Sequence, residues 1–199
     1  MPFTINGDTL ERYEGEEERI VIPEGIKTIG EYAFHGCGMR EAVFPEGLEL
    51  IRNGAFQDCE NLERIVLPDS VHELMKWAFT DCTALKEATL GKNTKYLGEY
   101  VFRGCANLEK ITVRASFTSI PFNAFEGCRK LTQAEYEGKT YRIERHKSEG
   151  LPWALDRIPH CFGLDPKKVK PYKPALRFPE GYPYMDEYEY LNTGGEEED

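Results

Sequence analysis

Ala78-Phe79-Thr80-Asp81-Cys82 decides the fold of this chain, because the phrase is written five times. Ala33-Phe34 leads to Cys37, Ala55-Phe56 to Cys59, Val101-Phe102 to Cys105 and Ala124-Phe125 to Cys128. The phenylalanines stand at 34, 56, 79, 102 and 125, in steps of 22, 23, 23 and 23. A fixed period in the twenties marks a solenoid, in which each repeat is one coil that cannot bury its apolar side alone.

The unit around the phrase reads Leu62-x-x-Ile65-x-Leu67-Pro68-x-x-Val71-x-x-Leu74-x-x-x-Ala78-Phe79-x-x-Cys82. Period two at its start points Ile65 and Leu67 inward and Val66 outward. One strand position holds Ile20, Ala42, Ile65, Ala88, Ile111 and Ala134 in successive units. Pro23, Pro45 and Pro68 end three strands, since proline cannot donate to a ladder. The pairs Ile26/Ile29, Leu48/Ile51, Val71/Leu74, Thr94/Leu97 and Phe117/Ile120 open irregular return segments. Phe fills the centre of the coil and Cys lines a packing position beside it. Stacked parallel strands about 4.8 Å apart predict a body of roughly 25–30 Å along the axis.

Residues 1–17 read as an atypical end unit that covers the core. There Asn6-Gly7 supplies the two positive-φ residues of a tight hairpin turn. At the other end, 134–143 reads as a strand, a turn and a return. Residues 1–143 therefore form one solenoid. Residues 144–199 are a separate C-terminal region. Leu151–Ile158 predicts a short helix that serves as a lid, with Pro152 in its first turn and Pro159 stopping it. Residues 165–191 interleave five prolines with five tyrosines, which favours extended chain lying across the solenoid. Residues 192–199 are expected to be disordered.

The pattern written from Leu62 to Cys82 resembles the BspA-type leucine-rich repeats, a bacterial class of about 23 residues per repeat. The resemblance covers 18–136, and the opening Phe3-x-Ile5-x-Gly7-x-x-Leu10-x-x-Tyr13 is similar to that family's N-terminal unit. It implies a right-handed leucine-rich-repeat solenoid of short parallel strands. It also implies an interaction surface, on cell surfaces or inside cells, and carries no catalytic residues. Gly91 and Arg114 depart from the strand-ending Pro and predict less regular strand ends there; Val101 replaces Ala.

The formal net charge of -10 argues against nucleic-acid and anionic-membrane partners, which would be repelled. No stretch has the length of a membrane span, so membrane insertion is not expected. Met1-Pro2-Phe3-Thr4 lacks a basic, apolar leader; if it is the native start, the expected location is cytoplasmic, and a trimmed start leaves the cell surface open.

Five of the six Cys share one repeat position and Cys161 stands apart. No C-x2-C pair exists, so the column reads as small buried thiols, each a weak donor to a carbonyl, rather than as disulfides or a metal site. His35, His72, His146 and His160 show no ligand spacing, and no phosphate loop or nucleophile elbow occurs. No cofactor, metal or catalytic residue is assigned. The expected function is a non-enzymatic protein–protein interaction module using the exposed strand face. The alternative is a cell-surface or secreted adhesin fragment that binds host or matrix proteins. An enzyme built on the tail would need a deep polar pocket between tail and solenoid.

Three features nominate where a protein partner would bind. Val21, Val43, Val66, Thr89 and Thr112 form a weakly apolar stripe on the exposed strands. That stripe is also where the tail, with its Lys167, Lys168, Lys170, Lys173 and Arg177, has the composition to lie. Beside it run two outward columns of alternating sign, Arg19, Glu41, Arg64, Glu87, Lys110, Gln133 and Glu18, Arg40, Glu63, Lys86, Glu109, Thr132. They read either as a register-setting charge ladder or as part of a partner site. Tyr32, Trp77 and Tyr100 share the position before the Ala-Phe or Val-Phe pair with Gly54 and Asn123. They read either as interface anchors or as rings packed on neighbouring coils.

Overall fold

A computed structural model describes residues 2–114, 121, 123–136 and 139–142. A hairpin of β1 (Phe3–Asn6) and β2 (Thr9–Tyr13) opens the chain. Each following coil then supplies two short strands. These are β3 (Arg19–Val21) with β4 (Thr28–Ile29), β5 (Glu41–Val43) with β6 (Leu50–Ile51), β7 (Arg64–Val66) with β8 (Glu73–Leu74), and β9 (Glu87–Thr89) with β10 (Tyr96–Leu97). The last are β11 (Lys110–Val113), β12 (Gln133–Tyr136) and β13 (Lys139–Arg142).

Two sheets result. The seven-stranded sheet runs β13-β12-β11-β9-β7-β5-β3 and is parallel except for the antiparallel β12–β13 pair. The six-stranded sheet runs β1-β2-β4-β6-β8-β10. Its β4, β6, β8 and β10 lie on the return path, which is therefore more regular than the spacing of its apolar pairs predicts. The reason is cooperative: once coils are in register, the return backbones also lie one strand spacing apart and their amides bond across.

Period two holds on the strands. Ile65 and Leu67 are buried and Val66 is 47% exposed. The five phenylalanines are buried and stack face to face. Successive centroids lie 4.8, 5.1, 5.6 and 5.5 Å apart, with the rings within 9° of parallel. Tyr13 continues this column onto the hairpin, 5.3 Å from Phe34, and Phe3 lies 5.2 Å beyond. Phe44 leans edge-on against Phe56 at 5.7 Å.

Four of the repeat Cys donate from Sγ to the Phe carbonyl one coil back. Cys59 reaches Phe34 at 3.0 Å, Cys82 reaches Phe56 at 3.2 Å, Cys105 reaches Phe79 at 3.1 Å and Cys128 reaches Phe102 at 3.0 Å. Burial pushes the thiols of Cys37, Cys59, Cys82 and Cys105 up. A raised folded-state value contributes stability that is present below the ordinary thiol range and lost above it. Stability to denaturant should therefore decline once pH passes about 8.5, where unfolded thiols ionise and the folded ones resist. Tyr13, pushed up to about 12 by burial and its bond to Glu17, adds a loss between its ordinary value near 10 and that pH. Tyr13→Phe should flatten the upper part of the decline, and an unchanged pH profile would count against this linkage.

The structure corrects the hairpin turn. Asn6 pairs with Thr9, so the two turn residues are Gly7 and Asp8, and only Gly7 has positive φ (62°). This is a turn with glycine in its first central place, and the register bulges between Thr4 and Ile5. The hairpin covers the six-stranded sheet, where Leu10 pairs with Ile29. The departure at Gly91 also behaves differently from expectation. At Gly91 the chain runs against the Pro68 carbonyl, where a Cβ would collide. Arg114 reaches back over that glycine to Asp69 at 3.0 Å, and Lys92 meets the same carboxylate at 2.8 Å. β9 is as long as β7, so the strand end at Gly91 is no less regular, and the residues directly after Arg114 lie outside the described residues. The expected lid helix, the Pro/Tyr segment across the solenoid and the terminal disorder lie outside the described residues.

Candidate functional site

The strand face is built by register. The outward column pairs Arg19 with Glu41, Glu41 with Arg64, Arg64 with Glu87, Glu87 with Lys110 and Lys110 with Gln133. Two residues along, Val21 pairs with Val43, Val66 with Thr89 and Thr89 with Thr112. Val21 is 53% exposed, Val66 47%, and Val43, Thr89 and Thr112 are half-buried. The inward residues between the two rows fill the core, so the outward side chains form a flat stripe with a charged border.

Within that border the charges join in short sets. Arg19 meets Glu41 at 3.0 Å and Arg64 meets Glu87 at 3.6 Å. Glu63 accepts from Arg40 and also meets Lys86 at 3.5 Å. Arg40, then Lys86, hold the Glu63 carboxyl below its usual range. Lys110 departs from the simple column, since it reaches diagonally to Glu135 at 2.6 Å. Of its two register neighbours, Gln133 is neutral and Glu87 is already met by Arg64. An open depression of about 440 Å³ lies there, lined by Glu87, Glu109, Lys110, Lys130, Thr132 and Gln133.

These pairs are exposed and screened by salt, so each contributes little, whereas like charges set opposite one another across strands cost about 0.2–1 kcal/mol. Arg64→Glu sets like charges against Glu41 and Glu87 and should destabilise by about that amount, less in high salt. Equal melting of variant and parent at low ionic strength would remove the column from the stability account.

The aromatic column lies elsewhere, on the turn around Ala-Phe-x-x-Cys. Tyr32, Trp77 and Tyr100 hold φ of 53°, 58° and 58°, as does Gly54 at 58°. Two residues beyond each Phe the backbone is again left-handed, at Gly36, Asp58, Asp81, Gly104 and Gly127. This geometry sends alternate amides to the next coil. Tyr32 donates to the Asn53 carbonyl at 3.1 Å, Phe34 to Ala55 at 2.8 Å and Gly36 to Gln57 at 2.9 Å. The amides between them close turns within the coil, His35 to Tyr32 at 3.1 Å and Cys37 to Phe34 at 3.1 Å. Every second amide thus ties coil to coil, which fixes the turn backbone whatever side chain it carries.

The rings are packed in part on neighbouring coils. Tyr32 is 43% exposed, yet a Cβ at Gly54 would run into its ring, so the ring lies down over the next coil. Trp77 and Tyr100 are half-buried, with Lys76 Nζ 6.0 Å and the Arg103 guanidinium 5.6 Å from their ring centres. Asp58 and Asp81 belong to this face, and the sequence reading passed over them. Their signal is the interchange of Asp and Gly before Cys, the residue types that tolerate left-handed backbone. His35 Nε2 lies 3.1 Å from Asp58. Burial pushes the Asp81 carboxyl up, with smaller contributions from Asp58 and Glu60, while Arg103 opposes the rise. The Asp81 carboxylate is therefore half-buried.

Among the described residues, no three His, Cys, Asp or Glu come together as a metal site, and no helix is long and apolar enough to cross a membrane.

Comparison with solved structures finds bacterial leucine-rich repeat proteins. A leucine-rich repeat protein of T. pallidum is 25% identical over 68% of this chain and 79% of its own, with a TM-score of 0.56. A leucine rich cell surface protein from Faecalibacterium prausnitzii is 28% identical over 75% of this chain and 38% of its own, at 0.61. The pneumococcal vaccine antigen PcpA is 25% identical over 69% of this chain and 35% of its own, at 0.58. The chain thus spans little more than a third of the last two. Comparison with curated proteins gives no match. The repeat pattern described as the BspA type Leucine rich repeat region matches residues 12–132 in six copies, and with those coils stacked in register, the chain belongs to the BspA-type leucine-rich repeat family.

Proposed function

We propose that this chain is a protein-binding repeat module that presents the outward face of its seven-stranded sheet to a partner protein. The observation that carries the reading is the in-register stripe Val21, Val43, Val66, Thr89 and Thr112, flat and bordered by paired charges. Such a stripe offers apolar area with little side-chain entropy to lose, and its charged border supplies orientation. Arg64, Glu87 and Lys110 stand on that border. The family and the named neighbours support binding rather than catalysis, and no residue is given a catalytic role.

The test compares proteins captured from native extract by the parent, by Val43→Lys with Val66→Lys, and by His72→Glu on the six-stranded side. Partners lost only with the first variant support the strand face. Equal capture by all three would place the binding surface elsewhere.

A second reading concerns location. The names of two similar structures, a cell surface protein and a vaccine antigen, favour display outside the cell as an adhesin segment. A membrane-impermeant amine label applied to intact cells should then mark this chain's lysines. Labelling only after lysis would support the cytoplasmic expectation.

A further inference from the structure

Tyr32, Trp77 and Tyr100 occupy left-handed backbone that the coil builds equally well with Gly54. A bulky side chain is disfavoured there and glycine is not. The three rings at such positions give the turn face aromatic surface: Tyr32 is 43% exposed, and Trp77 and Tyr100 are half-buried.

The spacing and charge of this face identify a contact. Successive Phe rings along the first three coils rise by 4.8 and 5.1 Å. Tyr32 and Trp77 each precede their Phe by two residues, so they stand two coils apart, about 10 Å. A polyproline II strand repeats every three residues at about 3.1 Å each, which places prolines three apart on one side at about 9.3 Å. Pro171-Tyr172-Lys173-Pro174 is such a pair. It sits inside Pro166–Arg177, which carries five basic residues and no acidic one. The turn positions 31–37, 53–60, 76–83, 99–106 and 123–129 carry six acidic and three basic residues, Asp58 and Asp81 among them. By contrast, strand positions 18–19, 40–41, 63–64, 86–87 and 109–110 balance at five and five. The acidic excess belongs to the aromatic face.

We propose that this turn face docks the chain's own Pro166–Arg177 segment. Pro171 and Pro174 set against Tyr32 and Trp77, and the basic residues face Asp58 and Asp81. Proline on aromatic rings is a recurring mode for extended peptides, with little ordering entropy to lose. The 28 residues between Arg142 and Pro171 span up to on the order of 90 Å when extended, well beyond the length of the solenoid. This occupant differs from the one the strand face awaits, and it leaves that face open.

The experiment uses the full chain with Trp153→Phe, which leaves Trp77 as the one tryptophan of two. Acrylamide quenching of Trp77 is compared with and without Pro171→Ser and Pro174→Ser, and separately with Lys167, Lys168, Lys170 and Lys173 changed to Glu. Each variant should raise the quenching constant about twofold as the ring loses its cover. A synthetic peptide of residues 165–178 added to the proline variant should restore protection. Quenching unchanged in both variants overturns the proposal. So does protection that fades on dilution of the parent, which would assign the contact to a second copy.

Discussion

Phe79→Ala should remove about 3–5 kcal/mol of stability, read as a lower denaturant midpoint in chemical unfolding. Phe79 is fully buried between Phe56 at 5.1 Å and Phe102 at 5.6 Å, both stacked parallel to it. Its neighbours cannot close the void, because each ring is held by its own coil. The Phe79 amide donates to the Val101 carbonyl at 2.9 Å, and its carbonyl accepts from Cys105 at 3.1 Å. The backbone around the cavity is thereby tied on both sides, so collapse would break inter-coil bonds. A loss below about 1 kcal/mol would mean that the rings are filler and not the axis of the core.

Ala88→Ile should cost about 1–3 kcal/mol by overpacking. Along the strand sheet the buried column alternates: Ile20, Ala42, Ile65, Ala88, Ile111 and Ala134. Ala88 pairs in register with Ile65 on one side and Ile111 on the other. A third Ile would set three branched side chains in a row at strand spacing, where interior packing leaves no room. The same change should cost less in an Ile65→Ala background, since the two sites share one volume. If Ala88→Ile is neutral alone, the alternation carries no packing role. A helpful contrast is Tyr32→Asn, which removes an aromatic ring but relieves left-handed strain and should change stability by less than either.

Much of the architecture was legible because the repeat writes it in the sequence. The inward Ile65 and Leu67, the outward Val66, the stacked Phe and the buried Cys all follow from period and position. The register of the charge columns followed too, because a one-residue slip would turn every strand over. The exceptions have local causes. Lys110 leaves its column for Glu135, with Gln133 neutral on one side and Glu87 met by Arg64 on the other. The hairpin turn lies one residue later than Asn6-Gly7 because Asn6 pairs with Thr9 and leaves Gly7 and Asp8 between them. The candidate site was only half legible. The stripe could be read from alternation, but the left-handed backbone under Tyr32, Trp77 and Tyr100 could not be read from aromatic residues, which seldom adopt it.

By itself, the sequence determined the coil length, the inward and outward sets and the family. A 23-residue period is a local property repeated along the chain, and each copy supports the reading of the next. The tertiary structure decided what happens between coils: the second sheet on the return path, the alternating amides of the turn and the rings laid over the following coil. Those features depend on which carbonyl each amide meets one coil away. Such a partner exists only once the coils have stacked around Ala78-Phe79-Thr80-Asp81-Cys82 and its four counterparts.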